Sequence, residues 1–357
     1  VSARRRAADA GIVLAAMLAA LPLAEVVLRV AAPRRLPSQE QIRGFVLKGM
    51  YIADERAGYR PAPNFSGRIE RRGYVTEFST DSLGLRGDEL GPKDRPRVLA
   101  LGDSFTWGWG VPQGEEWIRW AGKEIEQRGG PAVETVNGGV NGYGTDNALA
   151  RLEDLGPAIA PDLVLLGFFA NDYTDNVLGA RDIYTVREGY LFDLFSHRYL
   201  QENALARESH LYRLLTTAWE TFRVRRLGGV PSARPVKNFT EAEFRRGMEL
   251  SEQYILRMRE VAGSLGARFA VVWLPADVYA LDRQRAEDIP LQWELQQRIL
   301  AAGIPSLDLF QVVAAEARVD ALYLADDGHL SLRGNRVVGR AVGRWIVEQG
   351  LLGSGAP

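Results

Sequence analysis

The stretch Val98-Leu99-Ala100-Leu101-Gly102-Asp103-Ser104-Phe105-Thr106 decides how the chain is read. Four apolar residues suit a buried strand. They run directly into a glycine, an acid and a hydroxyl, residue types that favour a turn. Beyond the turn, Trp117, Ile118, Trp120 and Ile125 recur at roughly helical spacing after Glu115 and Glu116. Strand, tight turn and helix together place Ser104 where open α/β sheets carry their chemistry.

Outward from that unit, strands and helices alternate. Ala132 to Asn137 and the strongly apolar Asp162 to Phe169 read as strands, with a helix over Asp146 to Leu155 between them. Ala267 to Leu274 and Ile304 to Leu309 read as two more, separated by a helix near Ile289 to Ala302. A closing helix over Leu332 to Gln349 carries the apolar stripe Val337, Val338, Ala341, Val342, Trp345 and Ile346. This rhythm predicts an α/β protein with parallel crossovers and a sheet covered on both faces. Helical periodicity over Arg198 to Arg226 and Thr240 to Leu265 reads as a helical insertion spanning about residues 177–265. Residues 33–95, with alternating pieces such as Tyr74 to Phe78, read as an extension packed on the main domain over 96–357. Within it, Asp81 to Gly87 is expected to be a structured turn that holds the extension in place.

Arg4, Arg5 and Arg6 precede an apolar stretch from Gly11 to Leu28, interrupted by Pro22 and Glu25. Its length is close to the roughly 20 residues a spanning helix needs. Residues 1–32 are therefore expected to be a signal-anchor or signal peptide that enters the membrane through residues 11–28. The body is expected outside the cytoplasm, periplasmic or extracellular, and secreted if the segment is cleaved.

The 44 basic residues nearly balance the 45 acidic ones, and the short arginine patches lack interleaved aromatics, which argues against nucleic acid as a partner. Cysteine is absent, so disulfides, thiolate metal sites and a cysteine nucleophile are excluded. Histidine chemistry must use His197, His210 or His329, the three histidines of the chain. Neither His197 nor His210 has an acid pattern beside it that resembles a triad or a metal site.

Three further stretches complement Ser104. The second strand runs out into Asn137-Gly138-Gly139-Val140-Asn141-Gly142-Tyr143-Gly144-Thr145, whose glycines let the backbone approach a ligand closely. The third ends in Phe169-Ala170-Asn171-Asp172, which sets a carboxamide at the same sheet edge. Asp326-Asp327-Gly328-His329 puts two carboxylates beside a histidine. A serine hydroxyl needs a base to take its proton, and that base needs a carboxylate to orient it. The tetrahedral intermediate needs preorganised donors, which backbone N–H groups and an Asn side chain can supply.

In their order and spacing these blocks resemble the SGNH hydrolase family, also called the GDSL esterase/lipase family. The resemblance covers roughly Arg97 to Gly350. It implies a flavodoxin-like three-layer α/β/α sandwich, and ester hydrolysis or acyl transfer without a metal or other cofactor. By that resemblance Ser104 is the nucleophile, His329 the base and Asp326 the orienter, with Asp327 as the second candidate. The N–H groups of Ser104 and Gly142 and the amide of Asn171 would hold the oxyanion. Two positions depart from the family pattern: Phe105 replaces the usual leucine, and Phe169 stands where the glycine of Gly-x-Asn-Asp is usual. Trp107, Trp109 and Tyr143 are expected to line the substrate pocket.

The function expected from this reading is a serine esterase that cleaves acyl esters, acetyl esters foremost. Its expected substrate is an acylated polysaccharide or a lipid, met in the cell envelope or outside the cell. The alternatives are an O-acyltransferase that modifies an envelope polysaccharide and a catalytically silent glycan-binding or scaffold module.

Overall fold

A computed structural model describes residues 16, 20–31, 47–71, 74–179, 183–187, 189–193, 204–227, 240–275, 290–316, 318–324 and 328–353. The chain divides into two compact units, one of residues 1–45 with 192–238 and one of 46–191 with 239–357.

The second unit holds the sheet. Its leading segment forms two antiparallel pairs, β1 (Tyr51–Asp54) with β2 (Gly58–Pro61) and β3 (Ser66–Arg71) with β4 (Tyr74–Ser79). Five strands then build one parallel sheet: β5 (Arg97–Gly102), β6 (Glu134–Asn137), β7 (Leu163–Phe168), β10 (Arg268–Trp273) and β11 (Ser306–Asp308). Between β7 and β10 in sequence, β8 (Tyr184–Arg187) and β9 (Tyr190–Asp193) form a separate two-stranded sheet. The large sheet has the order β11-β10-β7-β5-β6. That is the 2-1-3-4-5 order of flavodoxin-type sheets, whose crevice opens between the first and third strands of the wind. Here the crevice lies between β5 and β7, and both Ser104 and Asn171 follow directly from those two strands.

The strands are apolar on both faces because helices cover both. Val98, Ala100, Leu163, Leu165, Ala270 and Val272 pack with Ile118, Ala121 and Ile125 of one helix and Val338, Val342 and Ile346 of another. In chain order the helices of this unit begin with α1 (Ser104–Trp107), α2 (Trp117–Gln127), α3 (Thr145–Ile159) and α4 (Asp172–Leu178). The first of the covering helices is α2. Leu99, Leu101, Val164, Leu166 and Val271 on the other face are equally buried. There α3 and the long helix over Glu241–Ser264 lie against the strands and against each other. That long helix starts with a capping box, in which Thr240 Oγ1 accepts from Glu243 N and the Glu243 carboxylate accepts from Thr240 N. Its Ser251 receives Asn176 Nδ2 at 2.8 Å, so it is part of the layer behind the site. Each fully buried Val or Leu on these faces is worth about 1.5–3 kcal/mol relative to exposure.

A second core lies under the leading segment. Tyr51, Tyr59, Ile69 and Phe78 of β1 to β4 pack against Trp107, Trp109, Val140 and Tyr143, which lie in the stretches after β5 and β6. The turn from Asp81 to Gly87 anchors this packing. Asp81 Oδ1 accepts from Leu83 N and Leu85 N, and Arg86 N donates to Asn137 O at 3.2 Å. The Arg86 guanidinium is fully buried and donates to the carbonyls of Trp107 (2.6 Å), Gly108 (2.7 Å) and Val111 (2.6 Å). Its Nε lies 2.9 Å from Glu116 Oε1 as an ion pair, with both side chains enclosed.

In the first unit a helix over residues 20–31 lies beside the helix His210–Leu227. Glu25 accepts from Ser209 Oγ, His210 N and Leu211 N, capping that helix from a distant point of the chain. Those N–H bonds hold its carboxyl well below the usual range. The expected membrane anchor is corrected here: among the described residues no helix is long and apolar enough to cross a membrane. The apolar run is interrupted by a carboxylate with a structural job. The membrane-anchored localisation inferred from that run falls with it. Residues 11–15 and 17–19 of the expected span lie outside the described residues, as does His197.

Removing one member of a buried ion pair strands the other charge, at about 3–5 kcal/mol. Arg86→Ala is therefore expected to lower unfolding free energy by about that amount, read from urea denaturation. A variant within about 0.5 kcal/mol of wild type would show that Arg86 does not hold this segment.

Candidate active site

The serine is presented by a turn that only small residues permit. Gly102 sits at φ 146, and a Cβ there would come 2.5 Å from Gly167 O and 2.6 Å from Thr106 Oγ1. Gly167 is its partner across β5 and β7. The two glycines leave room for Thr106, so the first turn of α1 settles directly on the sheet. Asp103 caps that turn through Phe105 N, 2.9 Å from Oδ1. As the first residue of α1, Ser104 keeps its N–H outside the helix's own ladder.

His329 Nε2 lies 2.7 Å from Ser104 Oγ, across 225 residues of sequence. The histidine precedes the closing helix (Leu332–Glu348), whose N-cap Ser331 accepts from Gly334 N. Tyr323 and Leu330 bridge on either side of it, and Leu324 N donates to His329 O at 2.7 Å. These contacts fix the backbone from which the imidazole reaches the serine. Asp326 and Asp327 lie outside the described residues.

The two departures from the family pattern meet in space. The rings of Phe105 and Phe169 stack with centroids 3.9 Å apart, and Phe105 lies 4.9 Å from the His329 ring. Trp109 stands 6.3 Å from the same imidazole. Aromatic rings thus wall the base. Trp109 shares the second core with Trp107 and Tyr143, but the rings of the latter two are turned into it, Trp107 edge-on to Phe78 and Tyr143 edge-on to Tyr59. The leading segment covers them, which removes them from the cleft wall expected for them.

The glycine-rich loop runs beside the serine turn. Gly138 N donates to Ala100 O at 2.8 Å and Val140 N to Gly102 O at 2.9 Å. Arg151 of α3 donates to Gly138 O and Gly84 O, tying the loop to the leading segment. Gly142 adopts φ 79, a left-handed conformation that suits glycine.

Asn171 opens α4, and its Nδ2 donates to Asp175 Oδ2 at 3.1 Å. The same carboxamide also reaches the Asp103 carboxyl and favours its charged form. Around it lie three enclosed carboxyl groups, Asp103, Asp172 and Asp175. Burial pushes Asp103 up to about 6, against the Phe105 N–H and the nearby His329, which favour its charged form. Burial, with the charges of Asp103 and Asp175, raises Asp172 well above the ordinary carboxylate range. Thr145 Oγ1 donates to Asp172 Oδ2 at 3.0 Å. His210, the remaining histidine, belongs to the first unit and faces Glu25.

A parallel sheet that hands a serine hydroxyl to a histidine at its switch point is the layout of a serine hydrolase. The family model of the GDSL-like lipase/acylhydrolase family matches residues 100–337, and the chain belongs to that family of ester-cleaving serine hydrolases. An arylesterase from Vibrio mimicus is 37% identical over 76 residues, which is 21% of this chain and 38% of that protein. The chain thus spans well under half the length of that relative. A lipase/acylhydrolase structure from Enterococcus faecalis is 19% identical with a TM-score of 0.41, covering 71% of this chain and 96% of its own. For the psychrotrophic esterase EstA of a Pseudoalteromonas species the values are 13%, 0.40, 72% and 98%.

Because the folded pKa of Asp103 is raised from 3.8 to about 6, the native state binds the extra proton between those values. The stability contributed by its protonated form is full below the unfolded value and is lost as pH rises through about 6. Asp103→Asn keeps an oxygen to cap Phe105 N but cannot titrate. Its denaturation midpoint is expected to change less than that of wild type between about pH 4 and about pH 7. An unchanged pH slope would place the titration elsewhere.

Proposed function

We propose that the protein is a serine esterase that cleaves acyl esters, acetyl esters foremost, through an acyl-enzyme. The observation that carries this reading is the 2.7 Å contact between His329 Nε2 and Ser104 Oγ at the crevice between β5 and β7. As Oγ attacks the ester carbonyl, His329 takes its proton. Asp326 orients the imidazole, with Asp327 as the second candidate, and stabilises the imidazolium. The N–H groups of Ser104 and Gly142 and the amide of Asn171 receive the oxyanion. His329 then protonates the departing alcohol, leaving the acyl group on Ser104. A water deprotonated by the same imidazole releases the acid and restores the serine.

The preference for a short acyl group is supported by the rings of Phe105, Phe169 and Trp109, which crowd the base and narrow the space beside it. The likeness to an arylesterase supports activated aryl esters as assay substrates.

Ser104→Ala is expected to abolish labelling by a fluorophosphonate probe and to cut p-nitrophenyl acetate turnover about a thousandfold or more. Labelling that persists in the folded variant would move the nucleophile elsewhere. Across p-nitrophenyl esters of graded length, kcat/KM is expected to fall from acetate to decanoate. A profile that rises with length would replace the acetyl preference by a lipid-like one.

A further inference from the structure

We infer that Tyr59 is a positioning residue for the oxyanion, its hydroxyl setting the Asn141–Gly142 peptide so that the Gly142 N–H faces the reacting carbonyl. This rests on the reading of Gly142 as an oxyanion donor.

Tyr59 Oη donates to Asn141 O at 2.7 Å, across 82 residues of sequence. That carbonyl and the Gly142 N–H belong to one peptide unit, which is planar and trans, so they point in opposite directions. Fixing the oxygen fixes the N–H. A hydrogen bond accepted by a carbonyl also polarises its own peptide, which makes the N–H a stronger donor. Among the described residues the Gly142 N–H has no backbone or side-chain acceptor.

The tyrosine itself cannot drift. Its ring is fully enclosed and meets Tyr51, Tyr143 and Tyr184 edge-on at 5.3–5.5 Å between centroids. Its own carbonyl accepts from Tyr143 Oη at 2.5 Å. Only a glycine lets the loop approach it so closely, since a Cβ at Gly142 would lie 2.9 Å from Tyr59 Oη and 2.5 Å from Tyr184 Cε2. A neighbouring hydroxyl supplies a matched comparison. Tyr51 Oη accepts from Asn141 Nδ2 at 2.7 Å, so it holds the side chain of Asn141 and leaves the peptide alone. Tyr59 lies before residues 100–337, so this contribution comes from outside the matched family region.

The test compares Tyr59→Phe with Tyr51→Phe, each of which removes one hydroxyl and keeps the ring. Losing an oxyanion donor costs about 10²–10³ in kcat, and loosening one is expected to cost about tenfold. Tyr59→Phe should therefore lower kcat for p-nitrophenyl acetate about tenfold, with KM and the pH profile within about twofold of wild type. Phosphonylation of Ser104 by a fluorophosphonate should slow in parallel, because it passes through the same oxyanion site. Tyr51→Phe should keep kcat within about twofold of wild type. Unchanged kcat in Tyr59→Phe, or equal losses in both variants, would overturn the inference. Should Tyr59→Phe fail to fold, 3-fluorotyrosine at position 59 keeps the hydroxyl and makes it a better donor. Its kcat should match or exceed that of wild type, and a drop would overturn the inference. Ser104→Ala separates the two levels: full turnover without Ser104 sinks the reading of the site, whereas its loss beside an intact Tyr59→Phe sinks only the role of Tyr59.

Discussion

The Arg86 guanidinium donates to the carbonyls of Trp107, Gly108 and Val111, the segment in which α1 ends. A helix of four residues has almost no cooperative stability of its own, so its shape must be imposed by neighbours. Asp103 secures its start and Arg86 its end. The Arg86 backbone meanwhile donates to Asn137 O, where the glycine-rich loop leaves β6. One residue thus fixes both the serine turn and the base of the loop beside it. Removing the guanidinium from water is costly, and Glu116, itself enclosed, supplies the compensating charge.

The site is consequently held from two directions. From the sheet side, Gly102 and Gly167 let Thr106 press α1 onto β5 and β7. From the other side, β1, β2 and the turn between them supply tyrosines and carbonyls that grip the loop after β6. Asn147 of α3 donates to Ala57 O at 2.8 Å while accepting from Gly144 N, which locks the far end of that loop to the same segment. An oxyanion site works because its donors do not reorganise during the reaction. The contacts from the leading segment hold the loop in the way that the proposed oxyanion role of Gly142 requires.

Much of this is legible in the sequence. Apolar runs mark β5, β7 and β10 because a strand covered on both faces has no polar side to show. Ser104 and His329 can be paired from residue types because their chemistry is complementary and histidine is scarce. The meeting of Phe105 with Phe169 is half visible: both positions stand out as departures, but only the adjacency of β5 and β7 shows that they fill one space. The turn that carries Arg86 is visible, but its reach to Trp107, Gly108 and Val111 is not, and Tyr59 leaves no signal, because these partners are backbone carbonyls, which every residue has. Trp107 and Tyr143 mislead for a related reason. Proximity in sequence to Ser104 and Gly142 says nothing about which side of the loop a ring takes, and the leading segment supplies a core for both. The apolar stretch before residue 29 misleads because length and hydropathy do not reveal what Glu25 is paired with.

The carboxyl groups behind Asn171 follow from the same geometry. Asp103, Asp172 and Asp175 are enclosed at the ends of β5 and β7, where water cannot screen them. Burial disfavours the charged form of both Asp103 and Asp172, and the charges of Asp103 and Asp175 raise Asp172 further. Burial and the like charges of its neighbours therefore act in the same direction on Asp172, whereas on Asp103 burial is opposed by the Phe105 N–H and by the nearby His329.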